Sequence, residues 1–141
     1  MEYDDVREIF IRINSAGMTV SRADTLFAKA SNVELRDHML NTKRGLKYGY
    51  GNITIDALQN TLGLAYGAKK IGNAGFNAFL KKIDANKQNI KDFEKIWKKL
   101  HYGYMEAVDF LVNIMKVKQL ELLPSQNIYS ILSYFFFLNQ S

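Results

Sequence analysis

The chain has 141 residues, of which 48% are apolar and 23% are charged, a composition typical of one globular domain and not of a disordered chain. It contains no cysteine, which excludes disulfides and thiolate metal sites. Its net charge of +5 is concentrated between residues 69 and 99, where nine Lys stand against three acidic residues, whereas eight basic residues balance eight acidic ones over the first sixty.

No targeting or membrane-spanning segment is expected. Met1 is followed by Glu2, Asp4 and Asp5, the wrong charge for the start of a signal peptide. The most apolar stretch, residues 129–138, is about half of the roughly 20 residues that span a bilayer. We therefore expect a cytoplasmic chain without a membrane partner.

Hydrophobic spacing predicts two helices in the first forty residues. Residues 3–14 carry one apolar face at i, i+3, i+4 and i+7, formed by Val6, Ile9, Phe10 and Ile13. This helix should end between Asn14 and Gly17. The next should begin at Ser21, which forms an approximate capping box with Asp24, and should continue helically through residues 32–40.

Residues 42–52 break the helical pattern with three glycines among basic residues and tyrosines. We interpret them as an exposed loop. An alternative is that Tyr48 and Tyr50 stack on nucleic-acid bases. Thr54 then caps a third helix, whose apolar side is formed by Ile55, Leu58, Leu62 and Tyr66. After Gly67, Gly72 and Gly75, a short helix is expected over residues 76–83.

The longest predicted helix covers residues 89–116. Its apolar seam alternates steps of four and three, through Phe93, Trp97, Leu100, Tyr104, Ala107, Leu111 and Ile114. Gly103 interrupts this seam and indicates a kink or a close contact with another helix.

Pro124 and Ser125 open the last predicted helix, which is apolar nearly all round. Its expected core stripe is Ile128, Ile131, Leu132, Phe135 and Leu138. Such a helix needs cover on most sides, from a surrounding fold or from a partner, so a homo-oligomer through this helix is one expectation.

Together, these patterns predict a mainly α, multi-helix bundle-like domain over residues 1–141. Residues 1–40 would form a helix-turn-helix, residues 41–83 a loop with short helices, and residues 89–139 the long helix and the apolar C-terminal helix.

No arrangement of residues predicts catalysis. His38 and His101 are far apart, without metal-ligand spacing, and are expected on the surface or between helices. No serine lies in a nucleophile elbow. The basic segment is a candidate contact surface: it is either a solvated helix face or a contact for DNA through Lys69, Lys70, Lys81, Lys82, Lys91, Lys95, Lys98 and Lys99.

Residues 6–17, VREIFIRINSAG, followed by residues 20–26, VSRADTL, resemble a motif of the GmrSD-type restriction proteins, also known as domain of unknown function family 262. Residues 92–97, DFEKIW, and residues 122–127, LLPSQN, are similar to later segments of the same family. The resemblance covers nearly the whole chain.

That resemblance implies a function in restricting foreign DNA. Family members begin with a ParB/sulfiredoxin-like half that carries a D-G-Q-Q-R motif and is linked to nucleotide binding and hydrolysis, and many end in an HNH-type nuclease domain. This chain has neither motif and would correspond to the non-catalytic helical part after the first half. It would carry no cofactor itself, and the full-length protein would use an NTP.

Carried over by position, Arg12, Asn14, Ser15 and Gly17 would face the nucleotide-binding half. Ala16 and Met18 depart from the residues common in the family, Gly and Thr. An Arg, an Asn amide and a Gly turn can offer donors to a phosphate. The alternative is that these residues only end one helix before Ser21 starts the next.

Overall fold

The computed structural model describes residues 22–140, apart from the side chains of residues 22, 73, 74 and 76. Over this part of the chain, six α-helices and three short 3-10 segments form the fold and no β-strand occurs, which confirms the predicted mainly α class. The helices are α1 (Arg22–Lys29), α2 (Leu35–Gly45), α3 (Ile55–Ala65), α4 (Asn73–Ala85), α5 (Lys87–Asn113) and α6 (Gln126–Leu138). None of them is long and apolar enough to cross a membrane.

The chain turns sharply between α1 and α2, where the sequence predicted a continuous helix. A 3-10 segment, Ser31–Val33, is followed by Glu34 in the left-handed conformation, with a φ of 54°. The turn lets α2 bury Leu35 and Met39, and α2 continues to Gly45. The prediction of a loop from residue 42 onward was therefore wrong for the first four residues. The predicted helix over residues 3–14 and the cap at Ser21 lie outside the described residues.

Helices α3 and α4 cross at two glycines. Thr54 caps α3 as predicted, because its Oγ1 accepts a hydrogen bond from the amide of Ala57 at 3.2 Å. A Cβ on Gly63 would collide with the backbone of Gly75, so the two helices touch without intervening side chains. Helix α4 begins at Asn73 and includes Gly75, whereas the sequence predicted a start at residue 76.

Helix α5 is the longest, and its seam is buried from Phe93 to Leu111 as predicted. The helix ends at Asn113, so Ile114 lies beyond it and is 65% exposed, which makes that end of the predicted seam wrong. Gly103 marks a close helix contact, the second of the two alternatives expected from the sequence. A Cβ there would lie 2.5 Å from the carbonyl oxygen of Ser133 on α6.

Helix α6 presents the opposite face to the core from the one that the sequence predicted. Ile128, Ile131, Phe135 and Leu138 are 43%, 56%, 53% and 59% exposed, and Leu132 is half-buried. We call these four exposed residues the outer face of α6. The buried face is formed by Tyr129, Ser130, Ser133 and Phe137.

Small hydroxylated residues explain this reversal. The Ser130 Oγ donates to the carbonyl of Ala57 at 2.7 Å, and the Thr61 Oγ1 donates to the carbonyl of Ser130 at 2.9 Å. Two helices can approach this closely only where the facing side chains are small, so the large aliphatic residues point outward. These hydrogen bonds satisfy the buried hydroxyls of Ser130 and Thr61 and make a partly polar inner face acceptable.

Three tyrosines tie the core together through their hydroxyls. Tyr50, Tyr104 and Tyr129 are fully buried, and they donate to the carbonyls of Val117 (2.8 Å), Leu58 (2.6 Å) and Tyr104 (3.0 Å), respectively. Burial raises the pKa of Tyr104 and of Tyr129 well above the ordinary tyrosine range. These groups are therefore neutral donors that hold helices together.

Candidate nucleic-acid interface

One row of basic side chains runs along the outward face of α5. A helix turns about 100° per residue, so positions four, eight and eleven after Lys87 lie on the same side as Lys87. These positions hold Lys91, Lys95 and Lys98, and all four side chains are exposed. We call these four lysines the basic row. They lie opposite the buried seam of the helix, so the solvent-facing side of its first half is cationic.

The exposed residue that follows the row is aromatic. Tyr102 lies four positions after Lys98 and is 39% exposed. Its ring therefore continues the row on the same face, over a total of about 22 Å at 1.5 Å per residue. Both Tyr102 and Lys87 are absent from the contact set predicted from the sequence, although their four-residue spacing from Lys98 and Lys91 is a signal that could have identified them.

The start of α5 adds to the positive potential. Asn86 caps the helix, because its Oδ1 accepts a hydrogen bond from the amide of Asn89 at 2.9 Å. The first turn contains no acidic residue. Helix N-termini carry a partial positive charge, and lysine is disfavoured there. Lys87, the first residue of the helix, thus lies where it weakens the helix and strengthens its attraction for an anion.

The acidic residues of this segment have other partners. The Glu94 carboxylate is 2.8 Å from Nε2 of His38 on α2, and the Asp92 carboxylate accepts a hydrogen bond from the Gln88 amide at 3.0 Å. Within the described residues, none of the predicted DNA-contact lysines forms an ion pair. These bonds leave the carboxylates charged, and Glu94 lies seven positions after Lys87 on the same face of α5. The four lysines of the basic row and this one carboxylate give the face a net charge of +3.

The histidines join α2 to α5. The ring of His38 packs against Phe93 and Trp97 at centroid distances of 5.4 and 5.5 Å. The ring of His101 lies 3.2 Å from the Thr42 hydroxyl. Both are interhelix histidines, one of the two placements expected from the sequence. Among the residues that the structure describes, no cluster of three metal-ligating side chains occurs.

The other predicted contact lysines are more dispersed. Lys81 and Lys82 are exposed on α4, and Lys69 and Lys70 are exposed in the connection between α3 and α4. Lys99 is exposed, and its ammonium lies 5.2 Å from the ring centroid of Phe137 on α6, so it contacts this ring rather than extending the row. The structure thus aligns Lys91, Lys95 and Lys98 and leaves the remaining five outside the row.

Of the two tyrosines in the alternative base-stacking site around residues 42–52, only one is accessible. Tyr50 is fully buried, with its hydroxyl on the Val117 carbonyl, so its ring is inaccessible to a base. Tyr48 is 51% exposed and remains accessible. The predicted nucleotide-binding residues Arg12, Asn14, Ser15 and Gly17 lie outside the described part of the chain.

No protein-family model, no curated protein and no solved structure matches this chain. The resemblance to the GmrSD-type restriction proteins therefore stays a prediction from the sequence motif.

Proposed function

We propose that this chain is a non-catalytic helical region of a DNA-restriction protein of phage defence, and that the basic row on α5 forms its contact with DNA. The observation that carries the proposal is the alignment of Lys87, Lys91, Lys95 and Lys98 on one exposed face, where none of them forms an ion pair with another described residue. Duplex DNA presents about one negative charge per 1.7 Å, so a cationic row of this length meets several phosphates.

The restriction part of the proposal is supported by the motif in residues 6–26. Under this proposal, Arg12, Asn14, Ser15 and Gly17 support an NTP bound to a preceding half that carries D-G-Q-Q-R. The coding sequence upstream of Met1 provides a direct test. An in-frame D-G-Q-Q-R segment supports the proposal, and an unrelated upstream gene contradicts it.

The DNA contact can be tested by the salt dependence of binding. We expect the triple variant K91Q/K95Q/K98Q to bind duplex DNA more weakly and to lower the slope of log K against log salt by about 2.7, because each lost phosphate contact removes about 0.9. Fluorescence anisotropy with a labelled duplex at several salt concentrations measures this slope.

A matched control separates the position of the lysines from net charge. Lys47, Lys116 and Lys118 are also exposed and lie outside α5. The variant K47Q/K116Q/K118Q loses the same three charges and should leave the slope close to that of the unchanged chain. An equal decrease of the slope in both variants would mean that only the overall charge matters. If the unchanged chain did not bind the duplex at low salt, the proposed DNA contact would be refuted.

A second candidate function is a protein-interaction module with no role in nucleic-acid binding. The outer face of α6 favours it, since contiguous exposed apolar residues on a small domain mark an interaction surface. Indifference to DNA combined with self-association would favour this second function over the first.

A further inference from the structure

The outer face of α6 is regular, apolar and uncharged. Its four residues, Ile128, Ile131, Phe135 and Leu138, are spaced by three, four and three positions. This is the a/d spacing of helices that pair along their length. No charged residue occurs anywhere between residues 122 and 140. The face therefore fits a neutral apolar helix and offers nothing to a charged ligand.

We propose that the occupant of this face is α6 of a second copy of the chain, in an antiparallel two-fold pairing. The spacing of three, four and three positions is symmetric about residue 133. An antiparallel pairing centred there places Ile128 opposite Leu138 of the second copy and Ile131 opposite Phe135 of the second copy. A two-fold interface requires this self-complementarity, in which each contact occurs twice.

Charge also favours a second copy. The positive charge of the chain is concentrated in residues 69–99, so two copies repel each other where these segments approach. Residues 122–140 lack charge entirely, so this is where two copies can approach without like charges facing each other. Antiparallel helices additionally bring the positive end of one helix dipole beside the negative end of the other.

The apolar area that the outer face of α6 can bury limits the affinity of the dimer. Between 43% and 59% of each of the four side chains is exposed, which amounts to an area on the order of 400 Å² per copy. Two copies would bury about 800 Å² through these residues, less than the roughly 1,200 Å² of a standard stable interface. The dimer is therefore weak, with a Kd on the order of 100 µM.

Sedimentation equilibrium between about 10 and 1,000 µM tests the pairing without DNA. We expect the unchanged chain to shift from monomer to dimer in this range and I131Q/F135Q to remain monomeric. The matched control is I114Q/L122Q, which removes two apolar side chains that are 65% and 62% exposed but lie outside α6. It should dimerise like the unchanged chain.

Three results would overturn the proposal. The unchanged chain could remain monomeric throughout the concentration range, I131Q/F135Q could still dimerise, or the control I114Q/L122Q could lose dimerisation to the same extent as I131Q/F135Q. Because all four substituted side chains are exposed, the far-ultraviolet circular dichroism of both variants should match that of the unchanged chain. Failure of DNA binding leaves this test unaffected, since the pairing does not depend on the basic row.

Orientation can be tested separately, because the chain has no natural cysteine. In an antiparallel pair, I131C in one chain faces F135C in the other, so mixing the two variants under oxidising conditions should give mainly the mixed disulfide-linked dimer. Predominant I131C self-linkage would refute the antiparallel arrangement.

Discussion

Replacing Gly103 by alanine tests the close contact on which the position of α6 depends. The added Cβ would lie 2.5 Å from the Ser133 carbonyl oxygen and 3.1 Å from the Phe137 backbone nitrogen. Both neighbours are backbone atoms, which cannot rotate away. Helix α6 must therefore move outward by about 0.8 Å to restore an ordinary carbon–oxygen contact.

Two opposing terms determine the size of the effect. Alanine stabilises a helix interior by about 1 kcal/mol relative to glycine. Overpacking costs roughly 1–3 kcal/mol, and the shift of α6 stretches the buried hydrogen bonds of Tyr129 and Ser130, each contributing about 1 kcal/mol. The expected net effect is a loss of about 2 kcal/mol in the free energy of unfolding and a fall in Tm of roughly 8 °C.

Thermal and urea unfolding followed by circular dichroism measure this loss, and Gly45→Ala is the control. A Cβ on Gly45 approaches only the terminal methyl group of Met105, at 3.1 Å, and a flexible side chain can move aside. Gly45→Ala should therefore be neutral or slightly stabilising. If Gly103→Ala were as stable as the unchanged chain, the α5–α6 contact would be looser than the close approach of Gly103 to Ser133 indicates.

Further predictions concern the capping of α3, the buried tyrosines and the Ser130 hydroxyl. Thr54→Ala should destabilise the fold by about 1–2 kcal/mol in urea unfolding. It removes the hydroxyl that accepts a hydrogen bond from the Ala57 amide and donates one to the Gln126 side chain. Thr54→Ser keeps the hydroxyl and should retain most of the stability. Because burial raises the pKa of Tyr104 and Tyr129, both keep their protons when folded. Their contribution to stability should therefore be constant below pH of about 10 and fall above it, by about 1.4 kcal/mol per pH unit for each tyrosine. Unfolding at increasing pH tests this, with Tyr129→Phe removing one contribution, and a curve unchanged by that substitution would contradict it. Ser130→Ala should cost about 1 kcal/mol through its bond to Ala57, and an unchanged urea midpoint would show that this bond is not stabilising.

The sequence predicted best those features that depend on local chemistry. The cap at Thr54 and the buried seam from Phe93 to Leu111 follow from side-chain type and spacing alone, and the structure has both. The contact at Gly103 was also predictable, because a glycine within an apolar seam leaves room for the backbone of a neighbouring helix.

The main error was the face of α6, and it has a physical origin. Hydrophobic spacing places the largest aliphatic side chains in the core, but the interhelix distance decides which side chains fit. Gly103 on α5 and Ala57 on α3 bring those helices so close to α6 that only small residues, Ser130 and Ser133, fit at the contacts. These interhelix distances depend on residues that are distant in sequence, so the hydrophobic spacing within a single helix cannot predict them.

The basic row and the outer face of α6 are separate surfaces, with consequences for DNA binding. On α5, the lysines of the row lie roughly 80–160° around the helix axis from Gly103, which faces α6. The outer face of α6 in turn points away from α5, so a dimer through α6 leaves both basic rows exposed. If the basic row contacts DNA as proposed, the two rows of one dimer should bind a single duplex with higher avidity than one row does, provided that the duplex spans both.

This coupling predicts that DNA affinity rises with protein concentration near the dimer Kd. I131Q/F135Q should abolish that rise while leaving the affinity at low concentration unchanged, because the variant retains every lysine of the row. K91Q/K95Q/K98Q should show the reverse, a lower affinity at every concentration and an unchanged monomer–dimer equilibrium. If I131Q/F135Q instead weakened binding equally at all concentrations, the outer face of α6 would itself belong to the DNA contact, and the two surfaces would not be independent.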